Sequence, residues 1–297
     1  MTRSRWLLSL ALVVLVVGCT TAPEDTGSAA TISVVATTTQ VGSIASEIGG
    51  DDIELTILLQ PGVEAHDFEI TPAAGAAIEG ADVILESGAG LERWLDEAIG
   101  TIGGVDRVRD LSTGVELRGD DPHYWLSAPN AIAMAENARD ALAEAAPEAA
   151  AAIRARADGL IERLEAADAE IQALMREIPE DRRSIVTDHD ALGYFIDGYG
   201  LQLGGSVFPS LDVTAEPSAR DIEELVNMIR ERDIRAIFTE SAVDPRLARA
   251  VAEETDADLV DEPLYTDSLG PAGSGADTID GMLLHNARVI HDALAGD

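Results

Sequence analysis

Four residues able to bind a divalent transition metal stand far apart in this chain. His66 lies in PGVEAHDFE, His123 in DDPHYWL, His189 in VTDHDALGYF and Asp267 in EPLYTDSLG. Three imidazole nitrogens and one carboxylate make a complete ligand set for such an ion. No two of the four are neighbours in sequence, so only the folded chain could bring them together. His66 follows Pro61-Gly62 and His123 follows Asp121-Pro122, both turn signals. His189 stands between Asp188 and Asp190, each a candidate acceptor for an imidazole N–H. The other two histidines, His285 and His291, sit six residues apart on one helical stretch. That spacing puts them on different helix faces, and they receive no role.

The elements that must position these residues show an alternating rhythm. Ile32–Ala36, Ile53–Leu58, Asp82–Glu86 and, more weakly, Val105–Arg109 read as strands. Helical patterns at Val41–Ile48, Pro72–Ile78 and Leu91–Ile99 alternate with them. After residue 180 the rhythm returns, with strands at Ser184–Thr187, Leu201–Val207, Ala236–Thr239 and Asp258–Val260. Its helices are Ala191–Tyr199, Ser218–Arg232 and Pro245–Glu254. Such alternation predicts parallel sheets covered by helices. A helix over Asn130–Ala145 separates the halves, followed by a long one that Pro147 opens and Pro179 stops. Ile161, Leu164, Ile171, Leu174 and Met175 give the long helix one apolar stripe, and Gly159 is a candidate bend.

The fold expected is therefore α/β: two lobes, each a parallel sheet flanked by helices, joined by one long rigid helix. The divisions are 31–146 for the first lobe, 147–178 for the linking helix and 179–297 for the second. Each metal-ligand candidate falls in a loop at or beyond a strand's carboxyl end, where open α/β sheets bind ligands. Two belong to each half, which places a site in the cleft between lobes.

With 55 acidic against 20 basic residues, the formal net charge is −35, and every fixed cation is arginine. Such a surface repels nucleic acid and anionic lipid. At 297 residues the chain suits two domains, and only 4% aromatic content makes its cores aliphatic. Arg3 and Arg5 precede an apolar run from Trp6 to Val17, which is too short for a comfortable membrane span. It reads as a signal peptide over residues 1–18. The sole cysteine, Cys19, ends the sequence Val16-Val17-Gly18-Cys19, which resembles a bacterial lipobox. Lipidation of Cys19, followed by a flexible tether to residue 30, explains a lone exported thiol.

Taken together, five motifs resemble the solute-binding proteins of bacterial metal-ion ABC transporters, the zinc and manganese receptors called the cluster A-I or ZnuA/TroA-like family. PGVEAHDFEITP is similar to the family's first ligand segment, with Ala65 and Ile70 where proline is common. SGAGLERWLD looks like the stretch supporting the first domain. DPHYWLSAPN is close to its second ligand segment, with Ser127 in place of an acidic residue. TDHDALGYF and EPLYTDSLG are similar to the third and fourth. The resemblance implies His66, His123, His189 and Asp267 as ligands, a membrane permease driven by an ATPase as partner, and no enzymatic activity. A monomer anchored outside the membrane is expected, and the acidic surface argues against a nucleic-acid partner.

Histidine at the third position leans toward zinc within such a family, whereas glutamate marks manganese or iron receptors. Three nitrogens and a monodentate carboxylate suit tetrahedral Zn2+, while a bidentate Asp267 would admit Mn2+. No histidine-rich loop lies between His66 and His123. Three imidazoles predict weaker binding below about pH 6. A metalloenzyme would need a general base, for which Glu240 at the end of a strand is the obvious residue, although its simpler role is to hydrogen-bond a ligand. An adhesin would be expected to carry repeats or a stalk, and the sequence encodes neither.

Overall fold

Two four-stranded parallel sheets of identical strand order organise the chain. The computed structural model describes residues 31–63, 65, 66, 68–211 and 216–296, so Cys19 and its surroundings lie outside the described residues. In the first sheet, β1 (Ile32–Ala36) is flanked by β2 (Ile53–Ile57) and β3 (Val83–Glu86), with β4 (Val108–Asp110) outside β3. The helices between them are α1 (Thr39–Gly49), α2 (Pro72–Gly80) and α3 (Arg93–Ile102). Two helices follow, α4 (Ala128–Ala145) and α5 (Ala150–Glu177). The second sheet repeats the first. β5 (Ser184–Thr187) lies between β6 (Gln202–Ser206) and β7 (Ala236–Glu240), with β8 (Asp258–Leu264) beyond. Its helices are α6 (Gly193–Tyr199), α7 (Ala219–Arg232) and α8 (Arg246–Glu253), and α9 (Ile279–Ala295) closes the chain.

The period of two along each strand explains the layering. Val34, Leu85, Ile185 and Phe238 point into one large core. Their neighbours Val35 and Ile84 point into a small cluster on the far face of the first sheet. Val186 and Ile237 do the same on the far face of the second. The large core continues through Leu142, Leu160, Leu164 and Ile290 on α4, α5 and α9, so both sheets share one apolar interior. Parting them widely would expose that interior, at about 25 cal/mol for each Å² uncovered.

At 28 residues α5 is about 42 Å long. It runs through Gly159 without interruption, so the expected bend there is absent from its hydrogen-bonded pattern. Its buried face is Ala150, Ile153, Ala157, Leu160, Leu164, Ala167, Ile171 and Met175, whereas Ile161 and Leu174 are only half-buried. Arginines tie the helix to its neighbours. The Arg156 guanidinium donates to the Ile48 and Gly49 carbonyls at 2.7 and 2.6 Å and to Asp52 at 2.7 Å, capping the C-terminus of α1. Arg288 of α9 reaches Glu170 of α5 at 2.7 Å.

Some boundaries differ from expectation for local reasons. Gly103 and Gly104 adopt φ of 87° and 94°. They force a single 3-10 turn over Val105–Arg107, so β4 starts only at Val108. The long helix begins at Ala150 rather than Pro147, because residues 147–149 form a turn. β8 runs to Leu264, well past Val260, after a register shift opposite Phe238 and Glu240.

Candidate metal centre

His66 arrives on the loop after β2. Gly62, with φ of 79°, makes the tight turn that Pro61-Gly62 signalled. Its N–H donates to Ser268 Oγ at 2.9 Å, and the Ala65 carbonyl accepts the Trp94 indole N–H at 3.0 Å. The loop is thus pinned at two points ahead of His66, from α3 and from the segment following β8.

His123 stands just before one 3-10 turn, Tyr124–Leu126, that leads into α4. Asp121 holds it twice: Oδ1 accepts the His123 backbone N–H at 3.0 Å and lies 2.8 Å from Nδ1. That contact leaves Nε2 as the outward nitrogen. The other oxygen of Asp121 takes Arg118 Nη1 at 2.9 Å, while Arg118 Nε reaches Asp197 on α6 at 2.8 Å. Trp125 packs edge-on to the imidazole, with ring centres 5.5 Å apart.

His189 lies two residues past β5. Its backbone N–H donates to Glu240 Oε1 at 2.9 Å, and its Nδ1 lies 2.8 Å from Oε2 of the same carboxylate. The expected acceptors, Asp188 and Asp190, do not fill this role. Successive side chains leaving a strand point to opposite sides. Asp188 turns away and accepts the Glu240 backbone N–H at 2.8 Å, and the burial of its carboxyl pushes its pKa up to about 7.

Asp267 completes the group from the loop after β8. His66 Nε2 and His123 Nε2 are 3.3 Å apart, His123 Nε2 is 3.1 Å from Asp267 Oδ1, and His189 Nε2 is 3.3 Å from Oδ2. Ligand atoms of His66, His123 and Asp267 all lie within 4.8 Å of one another, among the described residues the one such cluster of donors. His189 stands outside that mutual set and joins it through Asp267 and an edge-on contact with His123, ring centres 5.4 Å apart. His123, His189 and Asp267 are buried, and His66 is half-buried at the edge. His285 and His291 bond elsewhere, to the Pro263 carbonyl and to Glu177 and Asp292.

Neither oxygen of Asp267 has a hydrogen-bond partner, nor does either ring nitrogen of His189. Their contacts are close but poorly aligned for donation. Buried polar atoms are almost always bonded, so the Asp267 oxygens and His189 Nε2 mark donors turned toward a common centre, whereas His189 Nδ1 faces Glu240 Oε2. The electrostatics agree. Burial opposes ionisation of Asp267, yet the charge of His189 and contacts with both imidazoles hold its carboxyl well below the usual range. Burial likewise opposes the charged form of His123, but Asp121 and Asp267 push it up to about 9. For His189 burial is again outweighed, here by Glu240 and Asp267, and its pKa rises well above 6.5.

Two functional partners, Gln40 and Thr266, escaped sequence reading. Gln40 Nε2 and Trp125 Nε1 both donate to the Thr266 carbonyl, at 3.1 and 2.8 Å, directly beside Asp267. The signal was a run of polar residues, Thr37 to Gln40, immediately after an apolar strand, and all four are buried.

A family model described as zinc-uptake complex component A, periplasmic, matches residues 34–293. The manganese-binding lipoprotein MntA of Bacillus subtilis (strain 168) is 30% identical over 290 residues, 93% of this chain and 94% of that protein. The iron-binding protein YfeA of Yersinia pestis is 30% identical over 261 residues, 83% of this chain and 80% of its own. The solved periplasmic zinc-binding protein TroA from Treponema pallidum has the same fold, with a TM-score of 0.84 at 27% identity. That match covers 90% of this chain and all of TroA.

Proposed function

Because the chain belongs to the family of zinc-uptake complex component A, a family of metal receptors for ABC importers, we propose that it captures a divalent cation, Zn2+ before others, at His66, His123, His189 and Asp267 and delivers it to a membrane permease. The observation that carries this reading is the Asp267 carboxylate, buried without a hydrogen bond and set against imidazole nitrogens at 3.1 and 3.3 Å. Bonds of about 2.0–2.1 Å to a tetrahedral zinc place neighbouring ligand atoms about 3.3–3.4 Å apart. The His66–His123 and His123–Asp267 Oδ1 contacts, 3.3 and 3.1 Å, approximate two of those edges, and His189 approaches the other oxygen, Oδ2, at 3.3 Å.

The chain supplies the ligands, the permease and its ATPase supply the transport, and the receptor itself needs no chemistry. One chain carries every ligand, so a monomer suffices. Cys19 carries the lipid that keeps the receptor at the outer face of the membrane, in keeping with relatives named lipoproteins. The shared core and the long α5 favour loading by small loop shifts over wide hinge closure. The divisions we propose are 31–146 and 179–297 for the lobes and 147–178 for the helix linking them.

Manganese is the second reading, on a specific observation. Both Asp267 oxygens are unbonded, so the carboxylate is able to chelate and raise the coordination number above four. Metal-free protein titrated with Zn2+ and Mn2+ in native mass spectrometry and calorimetry tests both. We expect one zinc per chain, bound more tightly than manganese. Tighter manganese binding would reverse the assignment, and failure to bind either would overturn the receptor reading.

A further inference from the structure

Asp267 has no hydrogen bond of its own to hold its side chain, so its position is inherited from the backbone on either side. On one side the Thr266 carbonyl takes two donors, Gln40 Nε2 at 3.1 Å and Trp125 Nε1 at 2.8 Å. On the other, the Leu269 N–H donates to Thr39 Oγ1 at 2.8 Å. The Thr39 hydroxyl passes its own hydrogen to Gln40 Oε1 at 3.1 Å. This chain fixes the amide orientation, because the flipped amide would set oxygen against the Thr266 carbonyl. Gln40 therefore closes a clasp around the segment bearing Asp267. Thr266 Oγ1 also donates to Glu240 Oε2 at 2.6 Å, so the same residue touches the carboxylate that orients His189.

Gln40 and Thr39 begin α1, beside the first sheet, and Trp125 precedes α4, whereas Thr266 to Leu269 follow β8 of the second sheet. The clasp thus spans the two lobes. We infer that Gln40, seconded by Trp125, is a positioning residue: it fixes Asp267 on the metal through the Thr266 carbonyl and makes retention of the ion depend on the lobes being closed. This role rests on the metal-receptor reading above. Gln40 touches no ligand atom. Loss of its amide leaves the Thr266 carbonyl still bonded to Trp125, so the segment loosens without an orphaned backbone group.

The experiment uses the full chain with Gln40→Met, which keeps the volume and removes the donor, and with Trp125→Phe as an independent second variant. Zinc dissociation is followed by rapid mixing with a chelator, and the Co2+-loaded protein is examined by visible spectroscopy, which reports on carboxylate coordination. For each variant we expect zinc to leave about 10- to 100-fold faster, the scale of lost outer contacts at metal sites. For Gln40→Met association should stay within about twofold, because the donors themselves are untouched; Trp125→Phe also alters the packing on His123 and is read by dissociation and spectrum alone. The cobalt spectrum should move toward that of Asp267→Asn, a change that a merely structural role would not produce. Unaltered dissociation and an unaltered spectrum in either folded variant would overturn the role. If the unsubstituted protein bound neither zinc nor cobalt, the receptor reading itself would fall, and this role with it.

Discussion

Replacing Asp267 by asparagine should lower zinc affinity by about a hundred- to several-thousandfold while the chain still folds. Asparagine keeps the shape of aspartate, and the segment around it stays held through Thr266 and Leu269. What is lost is the one anionic member of the proposed ligand set, which lies against the Nε2 atoms of His123 and His189. Removing one partner of a buried charged pair costs about 3–5 kcal/mol, which at about 1.4 kcal/mol per tenfold gives that range. Surface carboxylates cannot mask the effect. They are numerous, but exposed charges are screened over about 10 Å in moderate salt. Competition against a chelator of known affinity measures it. Wild-type affinity in the folded variant would remove Asp267 from the ligand set.

The second large effect concerns protons. In the empty site the His123 imidazole is pushed up to about 9, so that ring holds a proton at neutral pH, and Glu240 and Asp267 push His189 in the same direction. A metal binds only the neutral ring. Loading therefore expels the proton that His123 holds. One proton released means apparent affinity rising by about one logarithmic unit per pH unit, or about 100-fold between pH 6 and 8, and any proton shed by His189 steepens that rise. This moves the window above the pH 6 threshold that unperturbed histidines would give.

Stability carries the matching sign. A raised folded pKa contributes stability that is complete below the unfolded value of about 6.5. For His123 that contribution disappears as pH rises through about 9. Metal-free protein should then melt progressively lower from pH 6.5 to 9, while added zinc stabilises it more over the same interval. Zinc titrations and melting curves across that range check both halves. A flat affinity, or metal-free melting that rises with pH, would contradict the protonated empty site.

Much of this was written in residue types. The four ligand candidates were legible because imidazole and carboxylate are scarce good donors and each stood in or beside a turn. The doubled α/β rhythm was legible because central strands such as AIFTE and VILE are apolar runs between helical patterns. Asp121 lay two residues from His123 and needed no long-range knowledge. The acceptor for His189 was harder. Nearest neighbours Asp188 and Asp190 drew attention, but strand alternation turns Asp188 away; Glu240 was readable as a residue to hydrogen-bond a ligand, and the packing of β7 beside β5 makes that ligand His189.

The buried face of α5 was misjudged for a different reason. Four of its eight buried positions are not large aliphatics: Ala150, Ala157, Ala167 and Met175, three of them alanines in an alanine-rich helix. Alanine carries almost no periodic signal against such a background, so Ile161 and Leu174 seemed equal members of the stripe. The clasp at Thr266 was beyond reach altogether. It joins Gln40 and Trp125 to a backbone carbonyl 226 and 141 residues away, and side chain to backbone pairing leaves no pattern in residue types.

Anomalous diffraction at the zinc absorption edge, from crystals of the zinc-loaded chain, bears most directly on convergence of these ligands. We expect a single strong peak between the two sheets, about 2.0–2.2 Å from a nitrogen of each of His66, His123 and His189 and from an oxygen of Asp267. A peak centred elsewhere, or one that any of these four residues fails to touch, would contradict the site.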